Sequence, residues 1–228
     1  MKLAFPYLKT VLTFEENTVP SLIIEHQGLF RKIITDICLQ VCGEDGEAVF
    51  SIANTPKPFK TYVELLQHWT PFDLNTKMLQ TALLKVVEKE ALARNNFHQT
   101  NALLEGIRRQ IGEWTLAVSH EVEVNSLSVM ALLKASGLNF APAQGGLQEQ
   151  VLAYARLTRE LIGDKLLIFV NLRSYLLDEE MERLTIDLCG EKFKFLLLES
   201  SMRKRLLNER RLVVDRDYCE FGWDNLEI

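Results

Sequence analysis

The stretch Lys165–Ser200, KLLIFVNLRSYLLDEEMERLTIDLCGEKFKFLLLES, constrains the fold more than any other part of the chain. Leu166 to Val170 is an unbroken apolar run, which is how a strand covered on both faces of a parallel sheet reads. Leu177, Met181, Leu184 and Leu188 then recur at helical spacing. Asp178 is the expected N-cap, Glu179 and Glu180 sit at the positive end of the helix dipole, and Gly190 is the expected C-terminal stop. Phe193 to Leu198 is a second apolar run. Strand, helix and strand in so short a span predict a right-handed βαβ unit and a core of the α/β class.

The rest of the chain divides around that unit. Ser21 to Ile24 reads as a short strand, and Leu29, Ile33, Ile34 and Ile37 share one face of a following helix. From Thr61 to Gly137 the strand signals stop. Leu79, Ala82, Leu83, Val86 and Val87 form one amphipathic stripe, and Leu103, Ile107, Ile111, Trp114 and Val118 form another. A short third helix runs from Ser126 through Val129, Leu132 and Leu133 to Gly137. Nearly eighty residues of helix inside an α/β chain predict a separate lobe, whose stripes serve either as its own core or as an oligomer contact. Leu147 to Ile162 traces a helix leading back into the central strand. The run Arg203-Lys204-Arg205-Leu206-Leu207-Asn208-Glu209-Arg210-Arg211 is expected to be helical, followed by a strand at Leu212 to Val214 and an edge strand near Tyr218 to Phe221.

Composition limits the class of function. A hydrophobic content of 47% with 25% charged residues is that of an ordinary globular protein, and no apolar run approaches the roughly 18 residues of a membrane span. No secretion signal is expected at the N-terminus, and Cys38, Cys42, Cys189 and Cys219 are scattered as in a cytoplasmic protein with reduced thiols. The net charge of −5 excludes a uniformly basic nucleic-acid binder. The cluster 203–211 holds five Lys/Arg against one Glu, net +4, which leaves −9 for the remainder. It reads either as a solvated helix face or as an anion-binding surface.

Catalytic signatures are sparse. The turn after the first strand, Ser21 to Ile24, is Glu25-His26-Gln27-Gly28, without the glycine spacing or the Lys-Ser/Thr pair of a phosphate loop. Asn171 stands where a P-loop ATPase carries its magnesium-binding Asp, and an amide is a poor hard-cation ligand alone. His26, His68, His98 and His120 are far apart, and no H-E-x-x-H, G-x-S-x-G or E-x-K is present. Asp215-Arg216-Asp217 is either a solvated turn or a metal site, and so is His120-Glu121-Val122-Glu123.

The blocks SLIIEHQGLFRKIITDI, VMALLKASGLNF, KLLIFVNLRSYLLDEEMERL, FKFLLLES and VVDRDYCEF, in this order, resemble the type II-A CRISPR adaptation proteins of the Csn family, at the length of the family's short branch. The resemblance implies an α/β head (residues 1–60 and 141–228), with a mostly parallel sheet related to a degenerate P-loop ATPase, and an inserted all-helical leg (61–140). It further implies a homotetrameric ring that threads double-stranded DNA ends, aided by calcium and without nucleotide. Such a ring supports spacer acquisition alongside the CRISPR integrase and effector nuclease, in the cytoplasm and without a membrane, and does not cut DNA itself. Glu121 and Glu123 match the family's calcium segment, while Asn125 and Ser126 stand where its carboxylates are expected. On charge, the DNA contacts are expected at Arg203, Lys204, Arg205, Arg210 and Arg211, with Lys134, Arg31 and Lys32 as secondary candidates. Four copies would bring 4 × 5 = 20 cluster cations against the ~18 phosphates of duplex inside a ring roughly 30 Å deep. The alternatives are a degenerate P-loop phosphohydrolase or metal-dependent nuclease, and a protein-only adaptor.

Overall fold

The computed structural model describes residues 1–223. The chain forms two compact units, one of Met1–Phe72 with the chain from Ala143 onward, the other Asp73–Pro142.

The first unit is built on a six-stranded sheet. Its strands are β3 (Val19–Ile24), β6 (Val63–Leu66), β7 (Leu166–Val170), β8 (Lys194–Glu199), β9 (Glu209–Val214) and β10 (Glu220–Gly222), in the order β10-β9-β3-β8-β7-β6. Five are parallel and only β10, at one edge, runs antiparallel. Every residue of β3 and β7 is buried, as in strands covered on both faces; β7 is apolar throughout, and β3 carries one polar residue, Ser21.

One face carries Leu22, Ile24, Leu166, Ile168, Leu196, Leu198, Leu212 and Val214. These meet Leu29, Ile33 and Ile37 of α1 (Gln27–Cys42) and a small four-stranded antiparallel sheet, β2-β1-β4-β5. That sheet, made of β1 (Lys2–Ala4), β2 (Leu12–Thr13), β4 (Val49–Ile52) and β5 (Thr55–Pro56), adds Leu3, Leu12 and Phe50 to the same core. Each such side chain contributes about 1.5–3 kcal/mol on burial. On the opposite face, α6 (Leu147–Leu161) and α7 (Asp178–Gly190) pack against each other. Trp69 donates its indole N–H to Val170 O at 2.7 Å and packs on Phe169, while Tyr154 of α6 packs on Phe72.

Several sequence expectations need correction. The boundary expected after residue 60 falls at Phe72/Asp73, because Val63–Leu66 form the outer parallel strand of the main sheet. Asp178 is the first residue of α7, not its cap; the cap is Leu177, whose amide is held by Glu180 at 2.8 Å. Gly190 is still helical, and the left-handed residue that ends the helix is Lys192 (φ 59°). The basic run 203–211 is not a helix: residues 202–206 are irregular, 207–208 turn, and Glu209 opens β9.

The second unit contains α3 (Lys77–Ala91), α4 (Phe97–Thr115) and α5 (Val129–Ala135). Thr76 and Ser128, not Ser126, cap α3 and α5 by accepting the amides of Leu79 and Ala131. Asn75 clasps the two ends of the unit, accepting from Phe140 N at 2.8 Å and donating to Phe140 O at 3.2 Å. Helix α4 is amphipathic yet buries none of its residues; Leu103 is 58% and Trp114 67% exposed, and Leu116 beyond its end is 83% exposed.

Candidate nucleic-acid interface

The basic residues expected to act together are divided by the strand they enter. Successive side chains of a strand point to opposite faces. Arg210 therefore turns to the face of Leu212 and Val214, where it meets Thr13 Oγ1 at 3.0 Å, Glu15 Oε1 at 2.9 Å and the Trp223 ring. Arg211 turns to the other face and grips Glu209 Oε2 at 2.6 Å. Both are half-buried and ion-paired, whereas Arg203, Lys204 and Arg205 are exposed on the preceding loop. An open groove of about 970 Å³ runs beside them, lined among others by Arg205, Asn208, Arg210, Arg211 and Trp223.

Beneath the loop lies a buried ionic network. Arg173, in the short 3₁₀ turn Leu172–Ser174 after β7, pairs with Glu209 at 3.5 Å, and the two side chains are 2% and 0% exposed. Its second guanidinium nitrogen donates to Lys204 O, and its amide donates to Glu199 Oε1 at 3.2 Å. Burial pulls the Arg173 guanidinium below its ordinary pKa, against the opposing pull of Glu209 and Glu199. Burial likewise pushes Glu199, at the end of β8, up to about 7, which the Arg173 amide and guanidinium only partly offset. Sequence reading missed Arg173, Glu199 and Glu209 as members of one network. The available signal was a charged residue at or near the end of each apolar run: LLIFVNLR, FKFLLLE and the Glu209 that opens β9.

The secondary candidates lie elsewhere. Arg31 and Lys32 are exposed on α1, which packs on the sheet face opposite to that of Glu209 and Arg211, and Lys32 is engaged by Glu47 at 3.7 Å and the Tyr7 ring. Lys134 is exposed in the last turn of α5, in the second unit. Glu121 and Glu123 are exposed in an irregular segment between α4 and α5, and among the described residues no group of three or more His, Cys, Asp or Glu is placed to hold a metal. Calcium takes six to eight oxygens. These two carboxylates do not by themselves form such a site.

The carboxyl ends of the parallel strands, where nucleotides bind in related sheets, are closed by side chains. His26 Nδ1 accepts the Leu29 amide at 3.1 Å, occupying an N–H that a phosphate loop would offer, and its ring lies against Tyr218. Asn171 adopts a left-handed conformation (φ 51°), and its Oδ1 accepts from Ser200 N and Ser200 Oγ at 2.8 and 2.9 Å. Asp215 Oδ1 accepts the amides of Asp217 and Cys219, so Asp215-Arg216-Asp217 is a side-chain-locked turn.

These features define a class: an α/β protein with a mixed, mostly parallel sheet and a helical insertion, carrying a basic loop over a buried ionic network. The chain belongs to the CRISPR-associated protein family Csn2, whose profile matches residues 44–218. Its fold is similar to the crystal structure of Stu0660 of Streptococcus thermophilus, with a TM-score of 0.61 at 13% identity over 94% of this chain and 74% of that one. No curated protein sequence matches it. Among the described residues no helix is long and apolar enough to cross a membrane.

Proposed function

We propose that this protein binds double-stranded DNA ends without reading sequence, as a homotetrameric ring acting in CRISPR spacer acquisition beside the integrase and effector nuclease. The observation that carries the proposal is the exposed triplet Arg203-Lys204-Arg205 in a family member whose remaining charge is acidic. With Arg210 and Arg211 ion-paired, four copies of the loop supply 4 × 3 = 12 exposed cations against the ~18 phosphates of a ring roughly 30 Å deep. Other basic residues, such as Lys134, Arg31 and Lys32, then share the remainder. The uncovered apolar stripe of α4 supports self-association, with a second copy covering Leu103 and Trp114.

The sheet is, in the same proposal, a relative of P-loop ATPases that has given up its chemistry. The His26 cap, the Ser200-bound Asn171 and the locked Asp215 turn support a protein that neither hydrolyses nucleotide nor cuts DNA. Calcium enters only with donors beyond Glu121 and Glu123, from carbonyls, water or another copy, and no step is routed through it.

Gel shifts test the reading with linear duplex, covalently closed circular plasmid and free nucleotide. Linear duplex should bind in a salt-sensitive, sequence-independent way and the closed circle should not. ATP turnover or strand cleavage would favour the enzymatic alternative, and failure to bind any DNA would favour a protein-only adaptor.

A further inference from the structure

The segment 202–206 has no regular secondary structure, yet the main chain of three of its residues, Arg203, Lys204 and Leu206, is bound by charged side chains that are buried or half-buried. Arg203 O accepts from Arg211 at 3.1 Å, and Lys204 O accepts from both Arg173 and Arg211. Arg205 reaches back to Glu209 O at 3.1 Å. Leu206 donates its amide to Glu209 Oε2 at 2.8 Å and buries its own side chain. The side chains of Arg203, Lys204 and Arg205 remain exposed above this frame.

We propose that Arg173, Glu209 and Arg211 are positioning residues that hold the Arg203–Leu206 backbone fixed, so that Arg203, Lys204 and Arg205 meet a phosphate backbone as one preset unit. The inference rests on the DNA-binding reading above. Two arguments carry it. A buried ion pair contributes little stability over an apolar replacement, and its best-attested use is to fix one geometry among several. Three adjacent cations also repel one another and would spread on a free loop; a loop already ordered binds with less entropy lost. Arg173 lies thirty residues before the triplet in sequence and touches it through the backbone, so its role does not depend on its own charge reaching DNA.

The test uses the full chain with a 30-base-pair duplex. In wild type the Leu206 amide should exchange slowly with solvent, and trypsin should cut slowly after residues 203–205. Arg173→Met leaves the buried Glu209 with Arg211 alone and should lower the melting temperature; at a temperature where it is still folded it should speed that local cleavage and weaken DNA binding about tenfold. Arg173→Lys, which keeps the charge but loses the fork, should show the same local cleavage and remains informative if the methionine variant does not fold. Fast exchange at Leu206 in wild type overturns the proposal. So does an Arg173 variant that is cleaved faster yet binds DNA as wild type does, while charge reversal at Arg203, Lys204 and Arg205 abolishes binding. If the charge-reversed protein itself binds normally, the DNA-binding reading fails, and the presenting role falls with it even where Leu206 stays protected.

Discussion

Replacing Glu199 by Gln should stabilise the protein, and by an amount that depends on pH. Glu199 is 1% exposed at the end of β8, its carboxyl accepting the Arg173 amide, and it holds its proton up to a pH of about 7 against an ordinary value of 4.5. Below pH 4.5 the folded and unfolded chains both carry the proton and the group is neutral in its effect. Between 4.5 and 7 the folded chain binds a proton that the unfolded chain has released, so stability falls as pH rises. Above 7 the loss is complete, and at 1.36 kcal/mol per pH unit it amounts to about 3 kcal/mol. Glutamine keeps the acceptor for Arg173 and has nothing to ionise. Its melting temperature should match wild type at pH 4.5 and exceed it by about 6–12 °C at pH 8, at about 2–4 °C per kcal/mol for a chain of this size. Circular dichroism melts of both proteins across pH 4.5–8 check this. Equal increments at all pH values, or a glutamine variant weaker at pH 8, would show that Glu199 is ionised against Arg173 in the folded protein and refute the reasoning.

Four further outcomes are expected. Charge reversal at Arg203, Lys204 and Arg205 should weaken binding to every duplex and flatten the slope of log affinity against log salt by about 2.7 for each loop engaged, measured by fluorescence anisotropy. His26→Ala should cost about 1 kcal/mol in urea melts by uncapping α1, while His26→Asn should cost much less. Leu103→Glu combined with Trp114→Glu should reduce the sedimenting mass to a smaller oligomer; an unchanged mass would place the subunit contact elsewhere. Calcium should raise the melting temperature of the assembled protein, and Glu121→Gln with Glu123→Gln should remove the rise. A wild-type protein indifferent to calcium removes the ion from the proposal.

The long, strongly patterned elements were legible in the sequence because burial on both faces restricts the choice of residue: β7 is apolar throughout, β8 is apolar between Lys194 and Glu199, and the stripes of α1, α3 and α6 follow a helical period. The strand β6 was not, since Val63–Leu66 is four residues long and follows directly on the helical turn Phe59–Tyr62. The small sheet escaped for the same reason, with strands of two to four residues stabilised by a core they share with distant α1. At 203–211 the charge was legible but its arrangement was not. The sequence predicts one helical patch of five basic residues, whereas Asn208, in a left-handed turn (φ 56°), separates an exposed loop from a strand that sends Arg210 and Arg211 apart. The Asn-before-strand signal was present. The partner that organises the loop, Arg173, stands thirty positions away, beyond the reach of any local period.

Helix α4 has a consequence for how this chain responds to dilution. Its unit buries little of its own apolar surface, so part of what keeps that unit folded must come from whatever covers Leu103 and Trp114. Where that cover is another copy of the chain, folding of the insertion and self-association become a single mass-action equilibrium. The melting point of the insertion then rises with protein concentration, while that of the sheet, whose core is complete within one chain, does not. Under that coupling a scarce protein would hold its insertion loosely and an abundant one would hold it firmly.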